Sequence, residues 1–203
     1  MDRASGRLAL RSFFSDRRAN TAVEFALLAV PFLGLLFAII ETGVVLLVGS
    51  TISNVTEKVA RTIQTGQVQQ AGITTADALR SQFVCPSTGA GFLPSFIPCS
   101  ALIVDVRTIT TFADADVTSP FYNDPANVKF CPGNAGALVV VRVAYAMPVF
   151  LPILAYAANN TFGQTTAGLV YDIQGHTGWM HLVMGSTLFQ NEQSAGSTGS
   201  NCS

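Results

Sequence analysis

Charge is scarce in this chain. Asp, Glu, Lys and Arg make up 11% of its 203 residues, while apolar residues make up 49%. Average soluble proteins carry about 25% charged residues, so part of this one is not in water. The formal net charge of −1 leaves no basic footprint, and nucleic acid is not an expected partner. Histidine is scarcer still. His176 and His181 stand near a glycine-flanked strand start with no local nucleophile pattern. No enzyme and no small-molecule substrate is therefore expected. The cysteines include no CxxC or CxH pair, which argues against zinc. Asp114, Asp116 and Asp124 fall in Ala113–Gly136, read as a solvated loop, and they lack EF-hand spacing. No metal or cofactor is expected. The length suits one ordinary domain.

What charge there is lies unevenly. Arg3, Arg7, Arg11, Arg17 and Arg18 precede a long apolar run, and past Val48 basic residues are sparse. That asymmetry places the N-terminus in the cytoplasm. All four cysteines, Cys85, Cys99, Cys131 and Cys202, lie beyond the run, as an oxidising compartment would have them. Both signals give one topology: a cytoplasmic leader, one span and an external domain.

The run from Phe25 to Val48 reads FALLAVPFLGLLFAIIETGVVLLV. As a helix it extends about 36 Å, enough for a hydrocarbon core of about 30 Å. It is too long for the roughly 7–15-residue apolar region of an ordinary secretory signal. Pro31 removes a helix hydrogen bond inside it and should bend the axis near Ala26–Leu27. Gly34 and Ala38 form a small-xxx-small pair that permits close helix approach in lipid. Beyond the run, Val48, Ile52, Val55, Val59 and Ile63 keep one apolar stripe at helical spacing, with Ser, Asn, Glu, Lys and Arg between. The spacing predicts one continuous helix, apolar all round and then amphipathic, ending near Gly66.

Two acids stand in this helix. Glu24 lies at the cytoplasmic edge, and Glu41 should lie near the outer interface. An ionised acid at mid-bilayer costs roughly 2.5–3.5 kcal/mol on insertion scales. Helical spacing puts the two on different faces, so they are not a paired acid/base site. Glu24 fits an acid favoured by the helix macrodipole at an N-terminus, or one that meets a positive charge in the membrane.

A basic leader, a candidate scissile bond at Ala19–Asn20, then Glu24, Phe25 and a long apolar helix resemble the start of type IV prepilin-like proteins. The stretches AVEFALLAVPFLGLLFAIIETG, ARTIQTGQ, VCPSTGAGFLPSFIPCSALIVDVRTITTF, VVVRVAYAMPV and STLFQNE resemble, in order, the TadE family of the bacterial Tad (tight adherence) pilus system. The resemblance implies that Ala19–Asn20 is the prepilin-peptidase bond, with Glu24 at the fifth mature position and Phe25 the aromatic after it. Such peptidases usually cut after glycine, and this sequence has Ala19. Cutting there would create an α-amine four residues before Glu24.

The external region reads as short helix, loop and strands. Thr75–Val84 predicts a helix capped by Thr75. Ala101–Phe112, Leu138–Tyr145 and Trp179–Phe189 predict strands, the last apolar on both faces and so central or covered. Val139, Val141, Val143 and Tyr145 share one face of their strand. Asp105, Arg107 and Arg142 are expected to pair across the outer face in a structural role. Met147–Ala158 is apolar but too short to span; it fits core, a membrane-resting patch or a subunit contact, with core the default. Four cysteines allow three pairings. A Cys85–Cys99 bridge would close a loop of about 15 residues, worth about 3 kcal/mol in the entropy account. The resemblance favours that bridge, leaving Cys131 and Cys202 to pin the tail.

The expected fold is α+β and pilin-like: a long N-terminal transmembrane and amphipathic helix packed on an antiparallel sheet domain. The expected divisions are a leader at 1–19, a transmembrane helix at 20–48, its amphipathic extension at 49–66 and a periplasmic α+β domain at 67–203. The resemblance implies a minor pilin-like subunit that initiates or promotes pilus assembly for adhesion. Its partners would be other pilins, Tad assembly proteins, transiently a prepilin peptidase, and the bacterial inner membrane. The alternative is a permanently anchored periplasmic module that recruits or regulates an envelope partner.

Overall fold

The computed structural model describes residues 17–85, 91–115, 121–122, 124–151, 169–173 and 176–192. One helix, α1, runs from Arg17 to Gln64 with Pro31 inside it. Residues up to Gly43 form one compact unit and residues from Val44 on a second.

In the second unit the predicted stripe is the organising feature. Val48, Ile52, Val55, Val59 and Ile63 are all buried and belong to one core cluster. Helical spacing alone puts them on one side, and a sheet covers that side. The helix ends where Gly66 takes a φ of 76°, a left-handed conformation that glycine adopts without steric cost. A short helix α2 (Gln67–Gln70) follows. The next, α3 (Ala76–Leu79), is capped by Thr75, whose hydroxyl accepts from the Ala78 amide. The chain then widens into a π-turn over Arg80–Val84.

Four strands make an antiparallel sheet: β1 (Leu102–Ile109), β2 (Leu138–Pro148), β3 (Leu169–Ile173) and β4 (His176–Gln190). Their order is β1-β2-β4-β3. The strand read as central is indeed internal. β3 is an addition to the three strands legible in the sequence; it is five residues long, too short for alternation to stand out. The register pairs Val104 with Val143 and Val106 with Val141. This puts Leu102, Val104 and Val106 beside Val139, Val141, Val143 and Tyr145 in the core cluster that α1 also enters.

Gly185 is where helix and sheet come closest. A Cβ there would stand 2.5 Å from the Thr56 hydroxyl and 3.2 Å from the Ile52 carbonyl oxygen. Gly185→Ala is therefore expected to cost about 1–3 kcal/mol through overpacking. Adding Thr56→Ala should recover part of that loss, because the nearest atom goes with it. Urea unfolding of the single and double variants checks this; no recovery would place the strain elsewhere.

The opposite face departs from expectation. Strand alternation predicts an outer-face pair at Asp105 and Arg142, yet both are fully buried. The cover comes from the stretch read as a solvated loop. Phe130 makes a parallel bridge to Val106, through Val106 N to Lys129 O and Cys131 N to Val106 O, each 2.8 Å. Phe121 packs in a second cluster with Ile103, Ala144, Ala146 and Ile173. Met147 is buried, as a core reading requires, but Pro148 and Phe150 are exposed, and residues 152–158 lie outside those described.

Candidate functional site

The apolar half of α1 carries the features expected to matter for function. It is long and apolar enough to cross a membrane, and the most apolar stretch is not buried at all. Phe25, Leu28 and Val30 are each more than 70% exposed. Burying such a side chain is worth about 1.5–3 kcal/mol, so a row of them requires lipid or other helices around it. Among the described residues this is the one candidate span.

The two acids differ sharply. Glu24 is exposed, beside Phe25 at the lip of the run. Glu41 is only 3% exposed, although Ile39 and Ile40 just before it are more than half exposed. It stands four residues before Val45 and seven before Val48, in phase with the buried stripe.

Beyond the surrounding turn of its own helix, no atom lies within 4 Å of the place a Cβ on Gly34 would occupy. Ala38, one turn on, is half-buried, and its carbonyl accepts the Thr42 hydroxyl at 2.9 Å. The notch at Gly34 is consequently open to a neighbour. Ala19 and Asn20 fall in the first turn of α1, which begins at Arg17. First-turn amides have no intrahelical partner, so opening that turn costs little.

In the external domain, Cys85 and Cys99 form a disulfide with Cα atoms 6.2 Å apart, joining the end of the π-turn to the turn before β1. Cys131 is also disulfide-bonded. Cys202 lies outside the described residues. The acids once considered for calcium are engaged locally. Asp114 completes a capping box with Thr111, and hydrogen bonds from Thr110 and Thr111 hold its carboxyl below the ordinary value. Asp124 accepts from the Ala126 amide, and Asp116 lies outside the described residues. Among the described residues, no group of three or more His, Cys, Asp or Glu is placed to hold a metal. His181 is half-buried in β4.

Residues 20–61 match the family model of TadE-like proteins. The match covers the Glu24–Phe25 pair, the whole apolar run and most of the buried stripe. It is a likeness over that segment, about a fifth of the chain. No match was found among curated proteins or solved structures.

Sequence reading missed what the STLFQNE stretch does beyond the TadE-like segment. Asn191, 3% exposed, donates through Nδ2 to Pro132 O at 2.8 Å and Asn134 O at 3.0 Å. The next amide, Glu192 N, donates to Gln64 O at 3.0 Å. One short segment thus ties the turn before β2 and also satisfies a carbonyl at the end of α1. A polar pair directly after a strand was the available signal.

Proposed function

We propose that the protein is a minor pilin-like subunit of a Tad pilus system, which starts or promotes pilus assembly through α1. The observation that carries this reading is the TadE-like match over residues 20–61, which coincides with a helix whose most apolar stretch is exposed. Such a helix is at home in lipid before assembly and among like helices after it. Gly34 and Ala38 provide a place where a neighbouring pilin helix can approach closely.

The basic residues before the span and the Cys85–Cys99 bridge beyond it support an N-terminus in the cytoplasm and a domain in the periplasm. Ala19–Asn20 is the bond a prepilin peptidase would cut. The test is the mature N-terminus of the protein recovered with pili, read by intact mass. Asn20 as first residue is expected. A chain still bearing its leader in assembled pili would refute the processing step. It would favour the second reading, a permanently anchored periplasmic module, which Ala19 in place of the usual glycine supports.

A further inference from the structure

β3 pairs with β4 only from His176 to His181. From Leu182 to Gln190, β4 has β2 on one side and, among the described residues, no strand on the other. The hydrogen bonds show which backbone groups lie on that open side. Val106 gives its N–H and C=O to the Lys129–Cys131 segment, so both point away from β2. Direction alternates along a strand, so Asp105 points toward β2, and its partner Arg142 points back. Val141 and Val143 then point toward β4, and their partners Thr187 and Gly185 point toward β2. The Asn191 amide, which donates to Ala137 O at 2.9 Å, keeps the same alternation. The N–H and C=O groups of Met184, Ser186 and Leu188 therefore point outward, repeating at about 7 Å. No described residue bonds to them. Met184 is 42% exposed, and Ser186 and Gln190 are exposed as well.

A row of donors and acceptors at that spacing is matched by another extended backbone. Edges that must stay unpaired are blunted by lysine, proline or a bulge. The stretch LVMGSTLFQ, Leu182–Gln190, holds no charge and no proline, and its register with β2 is unbroken. The side chains beside the edge describe the strand that fits it. Met184 and half-buried Leu188 lie on the face away from α1, the face of Leu182 in the second cluster. The other face is the one α1 covers, where a Cβ on Gly185 would meet Thr56. Lys58 stands over the Phe92 ring, in the loop before β1, and so marks the β1 flank of the helix. At about 100° per residue, Ser53 and Glu57 fall on the other flank, beside the open edge of β4. Both are exposed, and among the described residues Glu57 enters no ion pair.

We infer that the open edge of β4 takes up an extended segment of another protein, which adds a fifth strand to the sheet. The segment is apolar on the face beside Met184 and Leu188 and basic on the face beside Glu57. Its backbone supplies the affinity and its alternate side chains the selectivity. A second copy of this edge is the poorer occupant, because Leu182–Gln190 offers Glu57 no basic residue. All the residues involved belong to the unit from Val44 on, so the inference does not rest on what the apolar half of α1 does.

Amide exchange of the full-length protein in detergent micelles, read residue by residue by NMR, tests this. In dilute protein alone, the amides of Met184, Ser186 and Leu188 should exchange at least about tenfold faster than those of Gly185 and Thr187. The probe is a blocked synthetic peptide with valine at alternate positions and threonine or lysine between them. It should slow exchange at Met184, Ser186 and Leu188. The same peptide N-methylated at its edge-facing amides should not, and equal slowing by it would overturn strand addition. Replacing the lysines by glutamate should weaken binding severalfold, and Glu57→Gln should abolish that preference. Equal affinity of the two peptides for the unaltered protein would overturn the basic partner. Ser186→Pro removes an outward N–H and leaves the bonds to β2, so the variant should fold and no longer respond to the peptide. Edge amides already slow in dilute protein would mean that the chain covers its own edge, and would overturn the proposal. So would slowing that appears with rising protein concentration alone, since a second copy would then be the occupant. No slowing at saturating peptide would overturn it outright.

Discussion

Asp105→Ala is expected to destabilise the sheet domain by roughly 3–5 kcal/mol, the cost of breaking a buried ion pair from one side. Oδ2 of Asp105 accepts from Arg142 Nη2 at 2.7 Å, Arg142 Nε at 3.0 Å and Arg107 Nε at 2.9 Å. Oδ1 accepts from the Lys129 amide at 2.8 Å. Both Asp105 and Arg142 have fully buried side chains, and the Arg142 guanidinium lies 4.4 Å from the centre of the Phe121 ring. Removing the carboxylate strips a buried cation of its counter-charge and cuts a tie to the covering segment. A marginally stable domain holds about 5–15 kcal/mol in total, so partial unfolding is the expected phenotype.

The double variant Asp105→Leu/Arg142→Met separates charge from packing. Buried ion pairs replaced on both sides by apolar residues are often neutral or stabilising. The double variant should thus be more stable than Asp105→Ala alone. Chemical denaturation followed by circular dichroism measures both. A single variant that melts with the parent would show that the pair contributes nothing.

Glu24→Gln is expected to leave membrane insertion intact and to impair piliation. A neutral amide is easier to place in lipid than a carboxylate, so insertion gains nothing from the acid. On the proposed reading, what the acid supplies is a partner for the amine that cutting at Ala19–Asn20 would create. At 4 Å and an effective dielectric of 20, that attraction is about 4 kcal/mol, comparable to the roughly 2.5–3.5 kcal/mol cost of an isolated acid at mid-bilayer. An acid that meets an amine is thus tolerated, and one that does not is expelled. Sheared pili would be quantified beside carbonate-washed membranes, with Glu24→Asp as the charge-preserving control. Normal piliation in Glu24→Gln would sink the pairing role.

The same residues show how far local pattern reaches. The stripe from Val48 to Ile63 was legible because a helix places every third or fourth residue on one side whatever it meets later. The faces of β1 and β2 were legible for the corresponding reason, alternation across a strand. The TadE-like segment, residues 20–61, was visible because Glu24, Phe25, the apolar run and the stripe follow one another directly along the chain. Glu41 was named from its position in the run, but its burial was not foreseen. A carboxylate in phase with an apolar stripe looks like an interruption until the fold shows the position is covered.

Sequence by itself determined a helix long and apolar enough to span, the amphipathic helix that continues it, the strand faces and the α+β class. Each follows from periodicity within one segment. Tertiary structure decided that Asp105 and Arg142 are buried, that β3 extends the sheet and that Asn191 and Glu192 tie the domain to the end of α1. It also decided that residue 185 must be glycine-small. Those facts depend on which distant segments meet, and no local period records a partner tens of residues away. The covering segment from Phe121 to Cys131 has no such period, so its bridge to β1 changed a supposed outer face into an interior one.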